Sequence, residues 1–403
     1  MRAFIFALIF VLPLYWIWLF EFVFEIDIPL LLNSFFALLS LYIFLSIPPS
    51  SRFSFGFFVG LFWFYWVGFS FFYFGFAYLI PLISILVACI YMFIFALALQ
   101  FSSLLYRGIW LLVLGYIHPF GFDWMKIESF FAYSYFGVSQ ADFFLLILGL
   151  ILFKLASKGH KGFYILSLIF LCFGLDFKPH SSQALPFKFD LLHTNFSQNL
   201  KWQRDNTQKN TEFQVNLILQ SIQKGNKLII TPETAFPFVL ERTHYFALFK
   251  QLSYQATLVI GSMQAKDSRL YNSTYVFQEG EVKIFDKVIL APFGEKIPLP
   301  DFLAKPLHKI FLGDHSPQFS ASSNFESFIF EGERIKSVIC YEGTSELSYQ
   351  DFPRYLIVIS NNAWFPHTIE AALQKNLMKY YARLYKTTIL HSSNGSPSFV
   401  IFP

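Results

Sequence analysis

Residues 53–75 read FSFGFFVGLFWFYWVGFSFFYFG, without a single charge. As a helix rising about 1.5 Å per residue, this stretch is long enough for the roughly 30 Å of bilayer hydrocarbon. Comparable apolar runs lie on either side, near 3–20, 28–47, 80–104, 108–122, 142–156 and 162–175, separated by charges or by Pro and Gly clusters. Residues 1–176 therefore read as a transmembrane helical domain of about seven spans. The fifth and seventh runs are short enough to be tilted, re-entrant or partly buried. The chain as a whole is 55% hydrophobic, 21% aromatic and 14% charged, which is too apolar for an ordinary water-soluble protein of 403 residues. Most of the 56 Phe lie in this first part, where they are expected to match the lipid solvent rather than to form a cofactor box.

The first span opens on Met1-Arg2 and then turns apolar like a signal peptide, but no small-residue cleavage site follows, so it reads as retained. Arg2, Arg52, Arg107 and the cluster Lys154, Lys158, Lys161 occupy the N-terminus and the loops after spans two, four and six. The other side carries Glu21, Glu25 and Asp27 and a mixed loop with Asp123, Lys126 and Glu128. The excess of Lys and Arg on one side predicts a cytoplasmic N-terminus. Seven crossings then leave residues 187–403 on the exoplasmic face, the periplasmic side of a bacterial inner membrane. Residues 177–186, with Lys178, Pro179 and two serines, read as the linker between the parts.

A net charge of only +4 gives no footprint for nucleic acid. Three cysteines, Cys89, Cys172 and Cys340, are too few and too scattered for a disulfide framework or a metal site, and no cofactor is implied. Cys89 and Cys172 sit in apolar runs, where cysteine behaves as a small hydrophobe. Cys340 alone lies in a polar context.

From Phe187 on, short β-branched runs alternate with helical patterns, as in an α/β domain. Strands are predicted over 189–193, 227–231, 257–261, 271–277, 282–288, 328–330, 335–340 and 355–360, with helices over 211–223 and 367–387. Glu279-Gly280 and Glu331-Gly332 read as hairpin turns. Glu233, Lys287 and Cys340 each close a different strand, and strand ends are where open α/β sheets place their sites. A cysteine attacks as thiolate and needs a base or a positive environment to lose its proton. Glu233 is the candidate base. Lys287, with a backbone N–H after Cys340, is the candidate support for an oxyanion, a contribution of a few kcal/mol. Taken singly, each residue has a bland reading as a buried cysteine or a solvated charge. Their joint occurrence and the words around them shift the balance.

Those words are Thr-Pro-Glu-Thr-Ala at 231–235, Phe-Asp-Lys at 285–287, Pro-Phe-Gly-Glu at 292–295, Ile-Cys-Tyr-Glu at 339–342 and Ser-Asn-Asn-Ala-Trp-Phe at 360–365. Together they resemble the nitrilase superfamily. The Pro-Phe-Gly-Glu-x-x-Pro word at 292–298, the run Gly56 to Trp66 and the run His118 to Trp124 resemble, within it, the membrane-embedded bacterial apolipoprotein N-acyltransferases. The resemblance implies an αββα sandwich after the membrane domain and a two-step reaction. An acyl chain from a phospholipid donor would form a thioester on Cys340 and pass to the N-terminal α-amine of a diacylglyceryl-cysteine apolipoprotein. It also implies a catalytic trio of Glu233, Lys287 and Cys340, supporting roles for Glu295 and Glu342, and substrate contacts at Trp202, Asn362 and Trp364. Asn195 and Lys201 fall in a family word, and Arg383 is a weaker candidate. His391 with Ser392 and Ser393 lacks the Gly-x-Ser-x-Gly word of a serine hydrolase. Family members usually continue past the Asn394-Gly395 region, so this chain reads as shortened at its C-terminus. The alternatives are a membrane-anchored amidase, which would release the thioester to water, and a non-catalytic truncated homologue.

Overall fold

Small residues four apart let two helices of the first part approach closely. Gly56 and Gly60 lie on one face of α3 (Arg52–Phe64), against α4 (Ile80–Ala98). A Cβ on Gly56 would stand 2.7 Å from Phe95 Cβ, and one on Gly60 2.7 Å from Tyr91 Cβ, so only glycine lets these backbones approach. The structure is a computed structural model that describes residues 1–73, 75–177, 185–201, 203–292, 294–296 and 319–403. It divides into two units, Met1–Pro179 with Thr368–Leu384, and His180–His367 with Tyr385–Pro403.

The first unit contains α1 (Arg2–Ile17), α2 (Leu30–Ser46), α3, α4, α5 (Leu104–Leu114), α6 (Gln140–Ser157) and α7 (Phe163–Phe173). Among the described residues four continuous helical segments, Arg2–Val23, Pro49–Phe72, Ala77–Ala98 and Gln140–Ser157, are long and apolar enough to cross a membrane; Leu30–Ser46 and Phe163–Phe173 are shorter apolar helices. The Phe excess divides in two. Phe93 and Phe173 are exposed, as lipid matching requires, but Phe10 is buried with Phe44, Phe55, Phe95 and Phe130 at ring-centroid distances of 5.6–6.0 Å. Part of the phenylalanine is thus a protein core built from edge and tilted ring contacts.

The segment Thr368–Leu384, far along the chain, belongs to this unit. Its Ala372 packs with Ile17 and Ile28, and Asn376 Nδ2 donates to Ser129 Oγ at 3.1 Å. Arg383 donates to the carbonyls of Phe131, Ala132, Ser134 and Phe136 at 2.7–3.3 Å and to Asp176 Oδ2 at 3.4 Å. One guanidinium therefore satisfies four carbonyls of an irregular segment that an apolar setting would leave costly. The helix itself runs Glu370–Tyr385, where the sequence predicts 367–387.

The second unit holds two five-stranded sheets, β1-β2-β3-β4-β5 and β10-β9-β8-β7-β6. The first comprises β1 (Phe189–Leu191), β2 (Leu228–Ile230), β3 (Thr257–Lys266), β4 (Arg269–Gln278) and β5 (Glu281–Asp286). The second comprises β6 (Ser327–Phe330), β7 (Glu333–Ile339), β8 (Tyr355–Asn361), β9 (Thr388–Asn394) and β10 (Phe399–Ile401). Leu228, Ile230, Val259 and Val276 of one sheet meet Ile335, Ile339, Ile357 and Leu390 of the other in a shared core. The far face of the first sheet buries Leu258, Ile260 and Phe277 against Ile218 of α9 (Arg204–Gln223) and Phe249 of α10 (His244–Leu252). Both predicted Glu-Gly turns form two-residue hairpins, Gln278 pairing with Glu281 and Phe330 with Glu333. All four turn residues have positive φ, between 47° and 81°, as a type I′ turn demands.

Candidate active site

The first element of the site is the end of β2. Thr231 Oγ1 accepts from the Gly261 N–H at 3.0 Å, tying the chain beyond β2 to β3. A Cβ on Gly261 would lie 2.2 Å from the Pro232 carbonyl oxygen, so glycine is required for this close pass. Thr234 then takes φ +44°, a left-handed conformation unusual for a β-branched residue. Between the two, the Glu233 side chain is presented with its residue only 7% exposed.

The second element follows β5. Lys287 is buried and its Nζ stands 2.6 Å from Glu295 Oε2 and 3.7 Å from Glu233 Oε1. Asn272, buried on β4, donates from Nδ2 to Glu233 Oε1 at 2.7 Å and to Glu295 Oε1 at 3.3 Å. The Ala291 N–H adds a bond to Glu295 Oε2 at 2.9 Å. Burial by itself would push the Lys287 ammonium down. The charges of Glu295, then Glu233, Cys340 and Glu342, outweigh it and hold the group above its ordinary value. Lys287 is therefore a fixed cation near neutral pH.

The third element is the end of β7. Cys340 is half-buried and has φ +54°, opening the turn Cys340–Thr344. Two residues on, Glu342 is 1% exposed, and its carboxylate accepts from Val288 N (2.6 Å), Ile289 N (2.9 Å) and Ile339 N (2.7 Å). Those bonds join the residue before the cysteine to the two residues after the lysine. Desolvation raises the Glu342 carboxyl to about 7, against the opposing pull of Lys287 and these N–H groups.

Of the residues picked out in the sequence, Glu233, Lys287 and Glu295 meet in direct contact, and the field of Cys340 and Glu342 reaches the same ammonium. Trp202 lies outside the described residues, as do Phe293, Ile297 and Pro298 of the Pro-Phe-Gly-Glu word. Asn362 is buried and donates from Nδ2 to Ser396 Oγ at 3.0 Å; Trp364, in the same turn, is half-buried. Asn195 is exposed, whereas Asn394 is the asparagine that ties this region together, bonding Thr194, the Phe196 backbone and Asn361 at 2.8–3.0 Å. His391 is buried in β9 beside Phe399, and Ser392 Oγ donates to the Leu192 carbonyl, which gives that stretch a structural use.

One residue, Asn272, gains importance only in three dimensions, and a second, Lys201, gains there a contact that its family word does not reveal. Asn272 bridges two carboxylates; its one sequence signal is a polar run, Asn272-Ser-Thr, inside a buried strand, where buried polar groups demand partners. Lys201 is 3% exposed and donates from Nζ to the Glu233 carbonyl at 3.1 Å and to Thr234 Oγ1 at 2.7 Å. Burial pushes its ammonium down to about 8, with Glu233 opposing the shift.

Comparison with known proteins extends this picture along the chain. Residues 1–177 match the family model described as the apolipoprotein N-acyltransferase integral membrane domain. Two curated relatives carry the name apolipoprotein N-acyltransferase. That of Wolinella succinogenes is 39% identical over 374 residues, 93% of this chain and 90% of that protein. That of Helicobacter pylori is 40% identical over 381 residues, 93% of this chain and 89% of that protein. Among solved structures, a CN-hydrolase superfamily protein from Xanthomonas campestris aligns at 14% identity and a TM-score of 0.41, over 54% of this chain and 82% of that one.

Proposed function

Because this chain belongs to the apolipoprotein N-acyltransferase family, we propose that it moves a fatty acyl chain from a phospholipid, through a thioester on Cys340, to the N-terminal α-amine of a diacylglyceryl-cysteine apolipoprotein. One observation carries the reading of the site. Three strand ends supply a carboxylate and an ammonium 3.7 Å apart and a half-buried cysteine whose turn is tied by Glu342 to the backbone just after that lysine.

In the first half-reaction Glu233 takes the thiol proton and the Cys340 sulfur attacks the ester carbonyl of the phospholipid. The Lys287 ammonium and a backbone N–H after Cys340 hold the oxyanion. Collapse breaks the ester C–O bond, and Glu233 returns its proton to the departing lysophospholipid alkoxide. In the second half-reaction the acceptor amine attacks the thioester carbonyl, gives up a proton to Glu233 and expels the thiolate, leaving an amide. Glu295 holds Lys287 in place, and Glu342 fixes the segments that carry Lys287 and Cys340. Trp202, Asn362 and Trp364 are the proposed substrate contacts.

The chain is a multi-pass membrane protein, which suits a lipid donor. The distribution of Arg2, Arg52, Arg107 and Lys154 supports the further reading that the catalytic part lies at the periplasmic face of the inner membrane.

The test is intact-mass analysis of the full chain incubated with phospholipid but no acceptor. An acyl adduct on Cys340 that hydroxylamine removes and Cys340→Ala lacks supports the reading. An adduct on Cys89 or Cys172 overturns it, and rapid loss to water favours the amidase.

A further inference from the structure

A buried cation outside the trio grips the backbone of the proposed base. Lys201 ends α8 (Gln198–Lys201), and its ammonium donates to the Glu233 carbonyl at 3.1 Å and to Thr234 Oγ1 at 2.7 Å. It does so while 3% exposed, at the desolvation cost that any buried ammonium carries.

The segment it grips is one that would not keep its shape unaided. Thr234 holds φ +44°, where a β-branched L residue is unfavourable by roughly 1–2 kcal/mol. Such conformations persist only where the surroundings over-determine them. On one side Gly261 lets the Pro232 carbonyl pass within a distance no Cβ would allow. On the other, Lys201 takes the carbonyl of Glu233 and the hydroxyl of Thr234. An apolar side chain of the same length would fill the space without the desolvation cost but would release both the Glu233 carbonyl and the Thr234 hydroxyl, so what the lysine supplies at this address is a hold on the backbone.

We propose that Lys201 is a positioning residue for acyl transfer, clamping the Glu233–Thr234 backbone so that the Glu233 carboxylate stays on Lys287 and Cys340. The inference rests on the reading above, in which Glu233 is the base. The depressed ammonium agrees with the geometry: it is desolvated, yet still held charged by Glu233.

Single-turnover acylation of the full chain in mixed micelles with phosphatidylethanolamine separates this role from a structural one. The amplitude of the Cys340 adduct counts folded protein, and the rate constant reports how well the base is placed. Lys201→Met is expected to keep the amplitude and lower the rate constant on the order of 10- to 100-fold, the scale of a misplaced catalytic group. Lys201→Arg, which keeps charge and donors, is expected to recover most of the rate. A loss of amplitude with an unchanged rate constant, or no change in either, overturns the proposal. If Lys201→Met does not accumulate as folded protein, Thr234→Ala decides: it removes the hydroxyl end of the clamp, and slower acylation supports the proposal while a wild-type rate overturns it. A wild-type chain that forms no adduct sinks the acyl-transfer reading and the role of Lys201 with it. A wild-type adduct with Lys201→Met at the wild-type rate sinks Lys201 alone.

Discussion

Lys287 pairs with Glu295 at 2.6 Å, more closely than with Glu233 at 3.7 Å. The closer carboxylate thus neutralises and orients the ammonium, which in the proposed mechanism leaves Glu233 to accept a proton. Lys287→Met, close to isosteric, should slow acyl-enzyme formation about 10²-fold or more by removing charge beside the oxyanion. Glu295→Gln should cost less, since the lysine remains but swings. Stopped-time mass analysis of the Cys340 adduct ranks the two, and a Glu295→Gln chain slower than Lys287→Met would reverse the assignment.

Asn272 supplies both donors that separate Glu233 from Glu295. Asn272→Leu keeps the volume of the side chain but takes a donor from the buried Glu233 carboxylate, a loss of about 1–3 kcal/mol, and another from the half-buried Glu295, which costs less. The expected result is a lower melting temperature together with slower acylation. Full activity in this variant would show that the two carboxylates need no bridge.

Burial raises the Glu342 carboxyl from its ordinary 4.5 to about 7. With the folded value above the unfolded one, the folded state holds the proton more tightly. The resulting stabilisation is complete below about pH 4.5 and disappears as pH climbs through about 7. Glu342→Gln has no such titration. The melting temperature of the wild type should therefore fall relative to Glu342→Gln between pH 4.5 and 7, and a constant gap across that window would argue against the raised carboxyl.

Orientation is open to protease. On the proposed orientation residues 187–403 lie outside the cytoplasm, so protease added to the periplasmic side of intact inner membrane should cut them. Cleavage only after the membrane is breached would mean an even number of crossings.

The sequence displays the three strand ends well, because Glu233 and Cys340 follow buried β-branched runs and Lys287 follows the alternating run Glu-Val-Lys-Ile-Phe-Asp. Both Glu-Gly turns are equally legible, since positive φ at two consecutive positions is a demand few residue pairs meet. β9 is hidden: Thr388-Ile-Leu-His-Ser-Ser-Asn ends in residues that favour loops, and only its place between β8 and β10 makes it a strand. α10 escapes notice for the same reason, being nine residues whose helicity depends on packing Phe249 and Leu252 against the sheet. The attachment of Thr368–Leu384 to the first unit has no local signature at all, because Arg383 finds its four carbonyls some 250 residues earlier in the chain.

The backbone at Cys340 yields the last prediction. Its φ of +54° lies where an L side chain is unfavourable by roughly 1–2 kcal/mol, whereas glycine enters that region freely. Against this gain stands the greater freedom of glycine in the unfolded chain, about 0.5–1 kcal/mol relative to alanine. The first effect exceeds the second over most of these ranges, so Cys340→Gly should be more stable than Cys340→Ala by up to about 1.5 kcal/mol. Both variants lack the sulfur and neither should form the acyl adduct. The comparison therefore isolates backbone strain from chemistry: it measures how far the fold holds the proposed nucleophile in a conformation that the residue itself disfavours. Chemical or thermal unfolding of the two variants in the same detergent gives the difference. Equal stabilities would mean that the turn at Cys340–Thr344 relaxes without its side chain, and that the sulfur is not presented by strain.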